Sequence, residues 1–206
     1  MHISWLGQTC IKIQTKNGRE DDVVTLVDPY RPDKGDFPRT LAAQLALYTR
    51  GQKDSITITQ NPFIADTLGE IEVKDVMVYA LPGIDGELIF KINAEGISLL
   101  HLGRGTKQIE NELLEKIGNI DILLVPVGGN SIYATPEEAA KIITAVEPRI
   151  VIPTGYRTDT DPSANDLSGF IKESGFAPES TEKKLVIKKK DLPVEDTKLI
   201  VLEKNY

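Results

Sequence analysis

Cysteine and histidine are almost missing from this chain: Cys10 is the only cysteine, and His2 and His101 are the only histidines among 206 residues. A lone thiol forbids an intramolecular disulfide and any zinc cluster built on cysteines, and two imidazoles leave a two-metal centre short of ligands. Long apolar runs are also absent. None approaches the roughly 20 residues that span a bilayer, and the opening MHISWLGQTC lacks the basic start and apolar core of a secretion signal. The expectation is a cytoplasmic chain that does not engage a membrane. No Ser/Gly-rich linker, low-complexity segment or short repeat marks a boundary, so 1–206 reads as a single domain. Basic residues are the minority, 24 Lys and Arg against 31 Asp and Glu, for a net charge of −7. That balance opposes binding to a nucleic-acid backbone. The one dense basic run, Lys188-Lys189-Lys190, follows the apolar Leu185-Val186-Ile187 and reads as a solvated strand exit.

What is present is a strand-rich first half and an alternating second half. Ile3 to Ile13 alternates around Gly7, and Val23 to Val27 is a short apolar run stopped by the turn signal Asp28-Pro29. Pro29 to Pro38 reads as loop. Leu41, Leu45 and Tyr48 fall at helical spacing, predicting a helix over Thr40–Tyr48 that covers the first strands. Ser55 to Thr59 predicts a half-buried strand, ended by Gln60-Asn61-Pro62 in a polar loop. Glu72–Ala80, Glu87–Ile92 and Ile97–Leu102 predict strands joined by short turns, hence antiparallel pairing. From Gly103 the period changes. Ile109, Leu113, Leu114 and Ile117 define a helix face, and Asp121–Val127 and Ile150–Ile152 predict buried strands. Thr135-Pro136-Glu137-Glu138 combines a capping threonine, proline at the first helical position and glutamate three residues after the cap. Ser163 and Asp166 open a further helix that Gly175 ends, and Leu185–Ile187 and Leu199–Leu202 close the chain as strands. Early strands and late helix-strand alternation imply sheets with helices on their outer faces.

Taken in order, SWLGQTCIKI, TLVDP, LGEIEVKDV, ISLLHLGRG, IDILLVPVGG and VIPTGY resemble the metallo-β-lactamase fold superfamily, in particular its small bacterial branch of predicted Zn-dependent hydrolases. The resemblance implies an α/β fold, a four-layer αβ/βα sandwich with two mixed sheets face to face and helices outside. It also implies a metal site on loops at one edge. Members carry a His-x-His-x-Asp-His loop directly after the core strand that here ends at Thr59, so the resemblance places its positions at Gln60, Pro62, Ile64 and Ala65. The branch also has a histidine where Gln8 stands, a bridging aspartate where Arg104 stands and a last histidine where Gly155 stands. Asp28 matches a carboxylate behind the metal ligands.

None of these replacements ligates zinc, and arginine adds a cation where the ions would sit. His101 matches a buried histidine that does not ligate. Cys10, in an alternating strand, reads as buried rather than nucleophilic. A carboxylate-only Mg or Ca site would draw on Asp28, Asp159 and Asp161, but the Asp-x-Asp pair precedes Pro162 and reads first as turn chemistry. The expectation is therefore a pseudoenzyme with no cofactor and no metal, its candidate pocket made of Gln8, Asp28, Gln60, Asn61, Arg104 and Tyr156. Its partner would be a small anionic ligand or another protein. The alternative is a hydrolase with a site rebuilt around Asp28, Arg104 and Tyr156. Arg104 is expected to pair with Asp28, or else to swing into solvent or meet a small anion, while Pro62 and Phe63 fill the vacated space.

Overall fold

The structure is a computed structural model that describes residues 1–19, 21–106 and 108–206. It opens with β1 (His2–Gly7), β2 (Cys10–Lys16) and β3 (Asp22–Val27), then β4 (Thr40–Ala42), β5 (Leu45–Leu47), β6 (Thr57–Thr59) and β7 (Phe63–Ala65). A meander follows: β8 (Gly69–Val73), β9 (Val76–Pro82), β10 (Leu88–Ala94) and β11 (Ile97–His101). Helices then alternate with strands through α1 (Asn111–Ile117), β12 (Ile122–Pro126), α2 (Pro136–Val146), β13 (Ile150–Thr154) and α3 (Ser168–Ser174). The chain closes with β14 (Pro178–Glu182), β15 (Leu185–Val186) and β16 (Lys198–Leu202).

Two large sheets result, ordered β15-β1-β2-β3-β5-β7 and β14-β16-β13-β12-β11-β10-β9-β8, with β4 and β6 forming a separate pair. Between the sheets lies one apolar layer. Ile3, Trp5, Ile11 and Ile13 from the first meet Val78, Phe90, Ile92, Leu99, Leu124 and Ile152 from the second. Alternation places these residues inward, and removing such side chains from water is the main stabilising term, about 25 cal/mol per Å². All three helices cover the outer face of the second sheet, where Ile117, Ala139, Ile142, Ile143 and Phe170 pack on Leu100, Leu123, Val125 and Val151. The capping box of α2 forms as expected, with Thr135 Oγ1 accepting from Glu138 N and Glu138 Oε2 accepting from Thr135 N.

The sandwich class is therefore the expected one, but the cover over the first sheet is made differently. Thr40–Tyr48 is not a helix: it forms β4 and β5, with β5 pairing in parallel with β3. The helical spacing of its apolar residues is overridden because Gln44 between the two strands bonds the β3 backbone. Its side chain accepts from Val24 N at 2.7 Å and its own N–H donates to Val24 O at 2.9 Å. The outer face of the first sheet is instead covered by the β4–β6 ribbon and the coil before it, with Tyr30, Phe37, Leu41 and Ile58 resting on Leu6, Cys10 and Leu26. Nor is Ser55–Thr59 a core strand. β6 belongs to that ribbon, and the fully buried strand of this region is β5. Glu72–Ala80 is a hairpin rather than one strand, turning at Lys74 and Asp75, both at positive φ, as a two-residue turn of this kind requires.

Candidate functional site

The parallel strands β11 and β13 and the first-sheet strands β3 and β5 all deliver loops that line one cleft. In open α/β sheets that carboxyl edge is the usual place for a ligand. Asp28 fastens the floor. At the end of β3, with φ 49°, its Oδ1 accepts from Thr49 N at 2.7 Å and Thr49 Oγ1 at 2.9 Å, and its Oδ2 accepts from Thr9 Oγ1 at 3.0 Å. One carboxylate thus ties together the turn before β2 and the ends of β3 and β5. The Gln8 carbonyl does similar work, accepting from Trp5 Nε1 at 2.7 Å and Gly155 N at 2.8 Å. Gly7, at φ 106°, is required here because a Cβ would overlap the Tyr30 hydroxyl.

His101 is buried with both ring nitrogens engaged: Nε2 donates to Thr9 O at 2.7 Å and Nδ1 accepts from Gly103 N at 3.1 Å. Burial pushes its imidazole below the ordinary range, although Asp28 nearby works in the other direction. Cys10 is buried, and burial with the neighbouring Asp28 charge pushes its thiol up, which leaves it unreactive as a nucleophile.

Two arginines stand above this floor. Arg50 follows Thr49, and its Nε lies 3.6 Å from Glu87 Oε1, while Glu87 Oε2 accepts from Gly105 N at 3.1 Å. Arg104, between Gly103 and Gly105, is half-buried and, among the described residues, makes no hydrogen bond or ion pair. Burial first and Arg50 second push its guanidinium below the usual arginine range. The expected pair with Asp28 does not form, because both Asp28 oxygens are committed to Thr9 and Thr49.

The cleft is about 510 Å³ and is lined by Gln8, Tyr30, Arg31, Lys34, Arg50, Lys53, Asp54, Arg104, Thr160, Asp161 and Ser163, together with Asp33, Pro32 and Pro162. Five cationic side chains thus face three carboxylates. Of those carboxylates, Asp161 is committed. It accepts from the Tyr133 hydroxyl at 2.6 Å and from Ser163 Oγ at 3.0 Å. Tyr133 is buried, and a Cβ on Gly155 would lie 2.9 Å from its ring, so that ring occupies the space beside Gly155. Burial and the Asp161 bond push the Tyr133 phenol far up, keeping it a donor. Asp159 does not join Asp161: it accepts from Lys204 Nζ and Asp36 N. Among the described residues no group of three or more His, Cys, Asp or Glu side chains converges.

Of the sequence candidates, the structure brings together Gln8 and Arg104, with Asp28 beneath them. Gln60 is elsewhere, its Oε1 accepting from Gln44 Nε2 at 2.7 Å, and Asn61 lines a separate shallow hollow with Tyr48, Pro62 and Ile64. Phe63 is 48% exposed and fills nothing. Tyr156 lies in the core, its ring 4.3 Å from that of Trp5 and its hydroxyl donating to Leu202 O at 2.5 Å. Arg50 and Tyr133 are the residues that sequence reasoning missed, and Asp161, weighed only as part of a carboxylate site and read as turn chemistry, is the third. The buried apolar triplet Leu45-Ala46-Leu47 leading into a polar loop was the signal for Arg50.

A family model for a beta-lactamase superfamily domain matches residues 2–155. A UPF0173 metal-dependent hydrolase from Lysinibacillus sphaericus is 30% identical over 207 residues, covering 77% of this chain and 86% of the relative. Another from Methanopyrus kandleri is 23% identical over 216 residues, covering 84% and 91%. A metallo-beta-lactamase superfamily protein from Thermotoga maritima superposes with a TM-score of 0.81 at 24% identity, over 98% of each chain. At that identity the superposition speaks to the fold alone.

Proposed function

We propose that this chain, which belongs to the beta-lactamase superfamily, keeps the family's frame as a binding module and does not carry out a metal-dependent reaction. The observation that carries this is the placement of Arg50 and Arg104 together in the cleft at the strand ends. Because β5 is the buried strand entering that cleft, the His-x-His-x-Asp-His frame falls on Arg50, Gln52, Asp54 and Ser55 rather than on residues after Thr59. Asp54 alone is then a ligand type kept in place. Gln8, Arg104 and Gly155 stand at the remaining positions.

Such a set offers one carboxylate, weak amide donors and two cations. Divalent ions need several neutral or anionic donors converging on one point, and a guanidinium has no electron pair to give and repels the ion. The residues do not fit a two-metal centre, and no metal-assisted step can be assigned to them. The metal-dependent hydrolysis named for the relatives therefore does not carry over to these side chains.

The rival, a hydrolase rebuilt around Asp28, Arg104 and Tyr156, has less support. Asp28 spends both oxygens on hydrogen bonds beneath the cleft, and burial pushes the Tyr156 phenol up while its hydroxyl faces Leu202. Neither is placed to take a proton from a substrate. Elemental analysis of protein purified without chelator or histidine tag tests the proposal. The expected result is no stoichiometric zinc, iron or manganese and no turnover of β-lactam, thioester or phosphodiester above background. Tightly held zinc, lost in Asp54→Ala together with a hydrolytic rate, would overturn it.

A further inference from the structure

We infer that the cleft takes a phosphorylated small polar molecule, its phosphate seated between Arg50 and Arg104. The inference rests on the metal-free reading above. Arg104 is half-buried and, among the described residues, makes no hydrogen bond or close ion pair; Glu87 and Asp28 attract it from a longer range, while Arg50 beside it adds repulsion. Glu87 offsets part of this charge: it pairs with Arg50 Nε at 3.6 Å and gives its other oxygen to Gly105 N, which leaves Arg104 without a bonded anion among the described residues. Two guanidiniums lining one partly dehydrated cleft gain from an anion that reaches both, and their planar forks match phosphate oxygens two at a time.

Charge and size narrow the class further. The lining carries five cationic side chains and three carboxylates, and even with Glu87 counted at Arg50 a positive surplus remains that favours an anion, while two planar forks favour phosphate with its three oxygens over a carboxylate. A volume of about 510 Å³ exceeds what an inorganic phosphate fills and lies within the range of small-molecule sites. Pro32, Pro162 and the Tyr30 ring make up the apolar part of the described lining, whereas Gln8, Thr160 and Ser163 bring amide and hydroxyl groups. The body of the ligand is accordingly polar and hydroxyl-bearing, as in a sugar phosphate, rather than a lipid tail.

Isothermal titration of the chelator-treated full chain with ribose 5-phosphate, inorganic phosphate, ribose and succinate tests this. Ribose 5-phosphate should bind most tightly, inorganic phosphate more weakly, succinate about tenfold or more below ribose 5-phosphate, and ribose not measurably. Arg50→Gln and Arg104→Gln should each weaken ribose 5-phosphate by about tenfold or more, while Lys198→Gln, far from the cleft, leaves it unchanged. Thermal melts of the same variants establish that they are folded. No heat with either phosphate probe at millimolar concentration overturns the assignment. So does succinate binding as tightly as ribose 5-phosphate, or affinity indifferent to both arginines. If phosphate binds only once zinc is restored, the metal-free reading fails. If neither zinc nor phosphate binds, the phosphate assignment alone fails.

Discussion

The two ends of β11, β12 and β13 both carry charged hollows, and they differ in how the charges are spent. At the amino-terminal ends a hollow of about 660 Å³ is lined by Ser98, Asp121, Arg149 and Lys189 among others. There Asp121 accepts from Ser98 N at 2.8 Å and Lys189 Nζ at 2.9 Å, and Arg149 Nε lies 3.6 Å away. Every charge in that group has a counter-charge, so the larger hollow is a structural junction that fastens the start of three strands. At the carboxyl-terminal ends the cations of the lining exceed its carboxylates, and Arg104 makes no hydrogen bond or close ion pair among the described residues, with Glu87 and Asp28 acting on it only from a longer range. Paired charge holds the fold together, whereas unpaired charge held in place by the fold is available for a ligand.

The largest effect expected from this contrast is at the paired end. Asp121→Ala leaves Ser98 N and two cations without their acceptor and should destabilise by about 2–4 kcal/mol in urea unfolding. A loss below about 0.5 kcal/mol would mean that the junction is not structural. Arg104→Leu should do the opposite. Replacing a half-buried cation that faces Arg50 removes a repulsion partly offset by Glu87 and Asp28, and once solvent screening is allowed for the protein should gain at most about 0.5 kcal/mol while losing anion affinity, the usual exchange at a binding site. A clear loss of stability would show that Arg104 has a structural partner and is not held for a ligand.

A third effect depends on pH. Burial lowers the folded pKa of His101, so the unfolded chain binds its proton more readily. The stability this gives is complete above the ordinary histidine value of about 6.5 and is lost as pH falls through the folded value, with a slope of at most about 1.4 kcal/mol per pH unit. Protonation would also set an N–H on Nδ1 against the Gly103 N–H it now accepts from. His101→Gln should flatten the acid side of the stability curve, and an unchanged curve would remove His101 as its origin. The smallest effect is expected from chelation, which should leave the melting temperature where it was. A fall of several degrees would reveal a structural ion and place the cleft back among metal sites.

Features encoded over a few residues were legible in the sequence. The capping box at Thr135, the left-handed Gly175 that ends α3, and the buried strands Ile122–Pro126 and Ile150–Thr154 rest on local pattern and appear as expected. Those that depend on a distant partner were not legible. Thr40–Tyr48 carries a helical period, and only the waiting edge of β3 turns it into strands. The strand Pro178–Glu182 has no apolar alternation and exists through parallel pairing with β16.

The candidate site follows the same division. Gln8 and Arg104 were found from ordered motifs, each within its own short block. Arg50 was missed because the loop that carries it was attached to the wrong strand, and Gln60 and Asn61 were included for the same reason. Tyr133 and Asp161 bond across 28 positions of sequence, with no periodicity to announce them.

The most direct test of the cleft as an anion site in place of a metal site is an anomalous-scattering map from crystals soaked with both zinc and tungstate, a heavy mimic of phosphate. Tungsten density between Arg50 and Arg104, with no zinc in the cleft, is the predicted result. Zinc density bound by Asp54 with the arginines turned away, and no tungsten, would contradict it.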